Sequence, residues 1–217
     1  MVNFIESKIY RAMSTLWDVM YLGFLWTIFS LPLVTIGAST TALYYVATKK
    51  VTNRDSTYLF QDFLASFKAN FKQATLTTLI LTVAGVVVWY NFILLNHNNH
   101  NLGMFGTITR FALIFVTCQL LFITLIVFAV IARFDLSLFA TIKAAATLAN
   151  KHLFSTVTNL IVFLAVAYIA FLAPVILLFM MGVYGYFSST LIVRMFRKNN
   201  AEFDDHVEQV NLNPDDE

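Results

Sequence analysis

Apolar positions along this chain gather into long uncharged runs, divided by short polar stretches of helical pattern. Val19 to Thr48 is thirty residues without an acidic or basic side chain, and Leu153 to Val193 is forty-one. Two further uncharged runs lie at 74–95 and 111–132. Each of those two matches the roughly 20 residues that a helix needs to cross the roughly 30 Å hydrocarbon core of a bilayer. The longest run would make a helix of about 61 Å, so it must fold back. Pro174, near its middle, is the natural break and yields spans of about 153–173 and 175–193.

The first run would be about 45 Å long as a single helix. Pro32 and Gly37 interrupt it: Pro removes a helical hydrogen bond and Gly permits a sharp turn. Two arrangements stay open. The chain either spans once over about 19–36 and emerges, or turns near Pro32–Gly37 and returns as a short helix over about 38–48. That return arm is too short for an upright full span.

The polar stretches are themselves periodic. Ile5, Ile9, Met13 and Leu16 fall at helical spacing and predict an amphipathic helix on the membrane surface. Over about 56–73, Leu59, Phe60, Phe63, Leu64, Phe67 and Phe71 recur at intervals of three and four, with Asp55 placed to cap the helix. The pattern predicts an interfacial helix held by phenylalanines, with lysines at the headgroups. Phe60, Phe63, Phe67, Lys68, Phe71 and Lys72 are accordingly the candidate surface for docking on lipid or a partner. A second such helix is expected over about 136–152, capped by Asp135 or Ser137. The predicted fold is an all-α integral membrane helical bundle with interfacial amphipathic helices. It has five full spans, or six membrane segments with a broken, re-entrant first hairpin. One membrane domain covers 1–198, and an acidic, disordered tail covers 199–217.

Composition agrees with lipid as the solvent. The chain is 59% hydrophobic and 12% charged, against about half and a quarter in soluble domains. Seven of the twelve acids follow Ala201, leaving fourteen basic and five acidic residues before it. The basic residues are parcelled out between apolar runs instead of forming one patch, which argues against nucleic acid and fits the positive-inside rule. With five spans, eleven Lys and Arg fall on one side and three on the other; with a returning first hairpin the division is thirteen to one, Arg110. Both place the basic loops and the C-terminus in the cytoplasm of a bacterial cell membrane, and the second satisfies the rule better. An uncleaved first membrane helix is expected in place of a signal peptide.

Candidate chemistry is sparse. Proton-coupled transporters and voltage sensors need ionisable groups at membrane depth, whereas Asp18, Arg110, Arg133 and Arg194 all fall at the ends of proposed spans. Asn91, Gln119, Asn159, Ser188, Ser189 and Thr190 are uncharged and polar within them. Such groups hydrogen-bond neighbouring helices; in an alternative reading they line a path for an uncharged polar solute, gated at the Pro32–Gly37 break. His97 and His100 lack the further ligands that a metal needs. Cys118 reads as a small buried hydrophobe. Nucleotide-binding, hydrolase and metalloprotease motifs are absent, so no catalytic residue, cofactor or metal is expected and the chain is not read as an enzyme.

Leu25–Tyr45, L-W-T-I-F-S-L-P-L-V-T-I-G-A-S-T-T-A-L-Y-Y, and Gln61–Ala74, Q-D-F-L-A-S-F-K-A-N-F-K-Q-A, resemble the signature of the YesL family of bacterial membrane proteins. The hydropathy profile is similar over about residues 1–200. The resemblance implies a polytopic protein of unknown function, found alongside carbohydrate ABC transporters and sensor kinases. The expectation is a non-catalytic accessory or regulatory partner of such a system. Its partners would be membrane lipids and permease or sensor-kinase subunits, with a homo-oligomer also open.

Overall fold

Residues 2–52, 58–97, 103–173 and 176–211 are described by a computed structural model. Among them the chain forms seven α-helices and no strand. These are α1 (Val2–Phe29), α2 (Ile36–Val51), α3 (Leu59–His97), α4 (Gly103–Arg133), α5 (Leu138–Lys151), α6 (Leu153–Leu172) and α7 (Leu177–Asn211). Among the described residues four helical stretches are long and apolar enough to cross a membrane: Leu59–His97, Gly103–Arg133, Leu153–Leu172 and Leu178–Lys198. The molecule is an all-α membrane helical bundle.

The chain turns after Phe29 and returns. A 3-10 turn, Leu33–Thr35, follows Pro32. Thr35 secures it: its hydroxyl lies 2.5 Å from the Phe29 carbonyl oxygen and 2.6 Å from that of Pro32. A carbonyl left unpaired at the end of α1 thereby finds a donor. Trp26 Nε1 donates to Thr40 Oγ1 at 3.1 Å, and Lys50 forms an ion pair with Asp18. Those two contacts, far apart along each helix, run α2 antiparallel beside α1. Of the arrangements left open above, this is the returning one.

The boundary drawn at Gln73 between an interfacial helix and a span is absent. α3 is one helix of 39 residues; it contains no proline, and nothing near Gln73 breaks it. Its first half packs antiparallel on α2. Lys49 bonds Asp62 at one end, and a Cβ built on Gly37 would meet the Ala74 carbonyl oxygen at 2.8 Å near the other. The chain breaks again between Leu172 and Leu177, though Pro174 itself, like Asp55 and His100, lies outside the described residues. α7 runs on to Asn211, past residue 199, where an unstructured tail was expected. The segment from Ala201 to Asn211 has neither glycine nor proline to stop it. Ser137 stands at the N-cap position of α5, without a capping bond from its side chain.

α2 is the helix the others surround. Gly37, Ala38, Ser39, Thr41, Ala42, Leu43, Tyr44, Val46 and Ala47 are buried, and it touches α1, α3, α4 and α7. Its hydroxyls are satisfied inside the helix: Ser39, Thr40 and Thr41 donate to the carbonyls of Thr35, Ile36 and Gly37 at 3.0, 2.7 and 2.9 Å. Small residues also set the crossing of α1 and α7. A Cβ on Gly23 would stand 2.7 Å from the Leu178 carbonyl oxygen and 2.9 Å from the Gly182 nitrogen. Such backbone contacts cannot yield as a side chain would. Gly23→Ala should therefore destabilise the protein in detergent by about 1–3 kcal/mol. Gly85→Ala, where a Cβ meets nothing within 4 Å, should be neutral or stabilise by up to about 1 kcal/mol. Thermal unfolding of the two variants checks the contrast.

Candidate functional site

The sequence-predicted residues are not gathered in one place. Pro32 is exposed at the turn and Gly37 is buried against α3. The phenylalanines of α3 divide. Phe63 is fully buried, and Phe29 packs against both Phe63 and Phe67, with ring centroids 5.4 and 5.2 Å apart. Phe60, Lys68, Phe71 and Lys72 are exposed. The face expected to dock outward is thus half occupied by the chain's own hairpin. Helical periodicity marks an apolar face but does not say what the face meets.

The polar residues divide likewise. Asn91 is exposed and bonds the Val87 carbonyl of its own helix at 2.8 Å. Gln119 donates to Asn150 Oδ1 at 3.0 Å, tying α4 to α5. Asn159, Ser188 and Ser189 are buried. Cys118, expected to be buried, is exposed on α4; in lipid an outward-facing small hydrophobe is equally well solvated, so burial was the wrong inference from an apolar run.

A buried polar knot lies among α2, α4 and α7, with Asn159 of α6 beside it; the sequence singled out Ser188 and Asn159 but not the two tyrosines they meet. The Tyr44 hydroxyl stands 2.9 Å from Ser188 Oγ, 3.3 Å from the Leu125 carbonyl oxygen and 3.4 Å from the Tyr184 hydroxyl. Asn159 lies beside both tyrosines, yet neither atom of its amide group makes a well-formed hydrogen bond. The tyrosines belonged to apolar runs, and nothing in their spacing marks them as partners across 140 residues.

A cleft of about 520 Å3 opens above this knot, walled by α1, α2, α4, α6 and α7. Trp26, Thr40, Tyr44, Leu125, Phe163 and Tyr184 are among its lining residues. The tilted Phe163 and Tyr184 rings, 5.6 Å apart, form one wall. Volume and apolar lining are those of a small-molecule site.

Charge is kept at the other end of α2. Lys49 Nζ bonds both carboxylate oxygens of Asp62, at 3.0 and 2.8 Å. That hydrogen bond raises the Lys49 pKa above its ordinary value. The contribution is fully present below the ordinary lysine range and is lost as pH rises through the raised value. Two adjoining clefts here, of about 300 and 400 Å3, share Tyr45, Ala132 and Arg133. Arg133 lies over the Phe196 ring, 5.1 Å from its centroid. Among the described residues no group of three or more His, Cys, Asp or Glu could hold a metal.

A family model described as "Protein of unknown function, DUF624" matches residues 19–92. DUF624 is the family to which YesL proteins belong. The match takes in the buried part of α1, the turn, α2 and α3 as far as Phe92. No curated protein and no solved structure matches the chain.

Tyr44→Phe removes the hydroxyl that joins three helices. It should destabilise the protein by about 0.5–1.5 kcal/mol. Asn159→Leu, which removes an amide with no well-formed bond, should cost less than Tyr44→Phe or stabilise. Chemical or thermal unfolding in one detergent ranks the two.

Proposed function

We propose that this chain is a non-catalytic accessory or regulatory subunit of a transport or signalling assembly in a bacterial cell membrane. The observation that carries the reading is α3. Along its most apolar stretch no residue is buried within the chain, and the space around Gly85 is open. The facing half of α4 is similar, with Met104, Phe105, Phe111 and Phe115 each at least 65% exposed. Membrane helices that pack so little on their own chain leave whole faces to lipid or to helices of another subunit.

Two further points support it. Lys49, Lys50 and Arg133 lie at helix ends and Arg194 lies towards the end of the apolar stretch Leu178–Lys198, and the buried polar groups Tyr44, Ser188 and Thr41 bond within the bundle, as in a protein whose polarity serves packing. With the first hairpin returning, thirteen of the fourteen Lys and Arg fall on one side, Arg110 alone on the other, which by the positive-inside rule directs the C-terminus to the cytoplasm. The likeness to YesL proteins directs the reading towards carbohydrate uptake of the ABC type or sensor-kinase signalling. A path for an uncharged polar solute is the second reading. It weighs less because Asn91 is exposed and Gln119 is half-buried and tied to Asn150, while Asn159, Ser188 and Ser189 are buried.

Affinity purification from the native host in mild detergent, with mass spectrometry of what accompanies the chain, tests the proposal. A permease or sensor-kinase subunit should be recovered near one-to-one. Gly85→Trp should lower that recovery by about tenfold, equivalent to about 1.4 kcal/mol, with thermal unfolding unchanged. A clean homo-oligomer with nothing attached would overturn the accessory role and turn attention to flux in proteoliposomes.

A further inference from the structure

The cleft beside the tyrosine knot is closed on several sides but not all. Its wall between α4 and α6 includes Leu121, Thr124 and Ala167, and each of these is exposed. Around them the outer surfaces of both helices are apolar, with Phe115, Leu164 and Tyr168 exposed. The mouth therefore faces the hydrocarbon of the bilayer.

The lining has little to offer a polar guest. Trp26 Nε1 is bonded to Thr40 Oγ1. Thr124 Oγ1 donates to the Leu120 carbonyl at 2.7 Å. The Tyr44 hydroxyl is engaged by Ser188 and Leu125, and the Tyr184 hydroxyl lies 3.4 Å from that of Tyr44. A water cluster needs two to four polar partners for each molecule, and these groups are taken. An apolar lining with no atoms packed against it forfeits the dispersion contacts that an apolar occupant would restore. Hydrocarbon satisfies both conditions, and the mouth opens onto it.

We propose that the cleft between α4 and α6 holds one acyl chain of a bilayer phospholipid, which reaches inward as far as Trp26. The inference is independent of the accessory role. It makes the lipid a part of the packed bundle, filling a volume that side chains leave open, instead of a member of the surrounding annulus.

Trp26 is 9% exposed and lines the cleft, whereas Trp89 is 66% exposed on α3. Tryptophan fluorescence quenched on contact by brominated acyl chains distinguishes the two environments. The full chain would be reconstituted in vesicles of dibrominated phosphatidylcholine, with Trp17→Phe and Trp89→Phe leaving Trp26 as the fluorophore. Trp26 should be quenched to at least half the extent found for Trp89 in the matching single-tryptophan protein. Ala167→Phe, at the mouth, should cut the Trp26 quenching several-fold and leave that of Trp89 unchanged. Leu160→Trp, deeper in the wall, serves as a second plug, read by loss of co-purified phospholipid in native mass spectrometry. An unquenched Trp26 beside a quenched Trp89, or Trp26 quenching that Ala167→Phe does not reduce together with co-purified phospholipid that Leu160→Trp retains, would overturn the proposal.

Discussion

The burial of α2 is the constraint on which this structure depends. The helix has only 16 residues, about 24 Å at 1.5 Å per residue, and it is shared among four neighbours. A helix can be surrounded so closely only if its side chains are small or its neighbours recede. The run Gly37–Ala38–Ser39–Thr40–Thr41–Ala42 meets the first condition, and the hydroxyls within it turn back to their own helix. Polar atoms that would be costly in an apolar interior are thus neutralised locally. The bulkier Leu43 and Tyr44 come only where α7 contributes Gly185, whose absent side chain lets Leu43 approach to 2.8 Å of its Cβ position.

Placement of charge follows from the same geometry. Because α2 returns beside α1, Lys50 comes beside Asp18, and because α3 starts where α2 ends, Lys49 comes within reach of Asp62. Two ion pairs thus close the hairpin and its junction with α3 where water can still solvate them. Exposed pairs contribute little energy individually. Their effect here is one of register: neither would form if α2 slid by one turn along its neighbours. The interior of the bundle is then held by packing and by the Tyr44 knot, without any ion pair among the described buried residues.

Much of this was legible in the sequence, for reasons that also explain what was not. Uncharged runs report the solvent around a helix, so the spans ending at His97, Arg133 and Leu172 could be read closely. Pro32 and Gly37 report backbone conformation, so the turn could be located while its outcome stayed open. Periodicity in Phe60–Phe71 reports a face and is silent on what covers it; Phe63 and Phe67 meet Phe29 of the preceding hairpin, a contact that only tertiary structure supplies. The change from polar to apolar at Gln73 reports where the surroundings change. It was taken for a helix boundary, yet Gln73 itself bonds Leu136 and Thr141 from within a continuous α3. The cleft left no trace, since a cavity is a property of several helices together and no single run encodes it.

The contrast between the two halves of the bundle bears on the accessory role proposed above. Around α2, contacts are dense and the backbones touch at glycine; along the distal parts of α3 and α4 the chain meets almost none of itself. Close packing in one region and uncovered helix surface in the other fit that proposed role, in which the outer helices would be presented to another protein. The cleft lies between these regions, bounded by buried Trp26 on one side and by the exposed Leu121 and Ala167 on the other. Whatever occupies it packs against the rigid half and the presented half at once. A lipid held there, as proposed above, would belong to the packing of both halves, because helices this closely packed meet a change of volume by shifting as bodies.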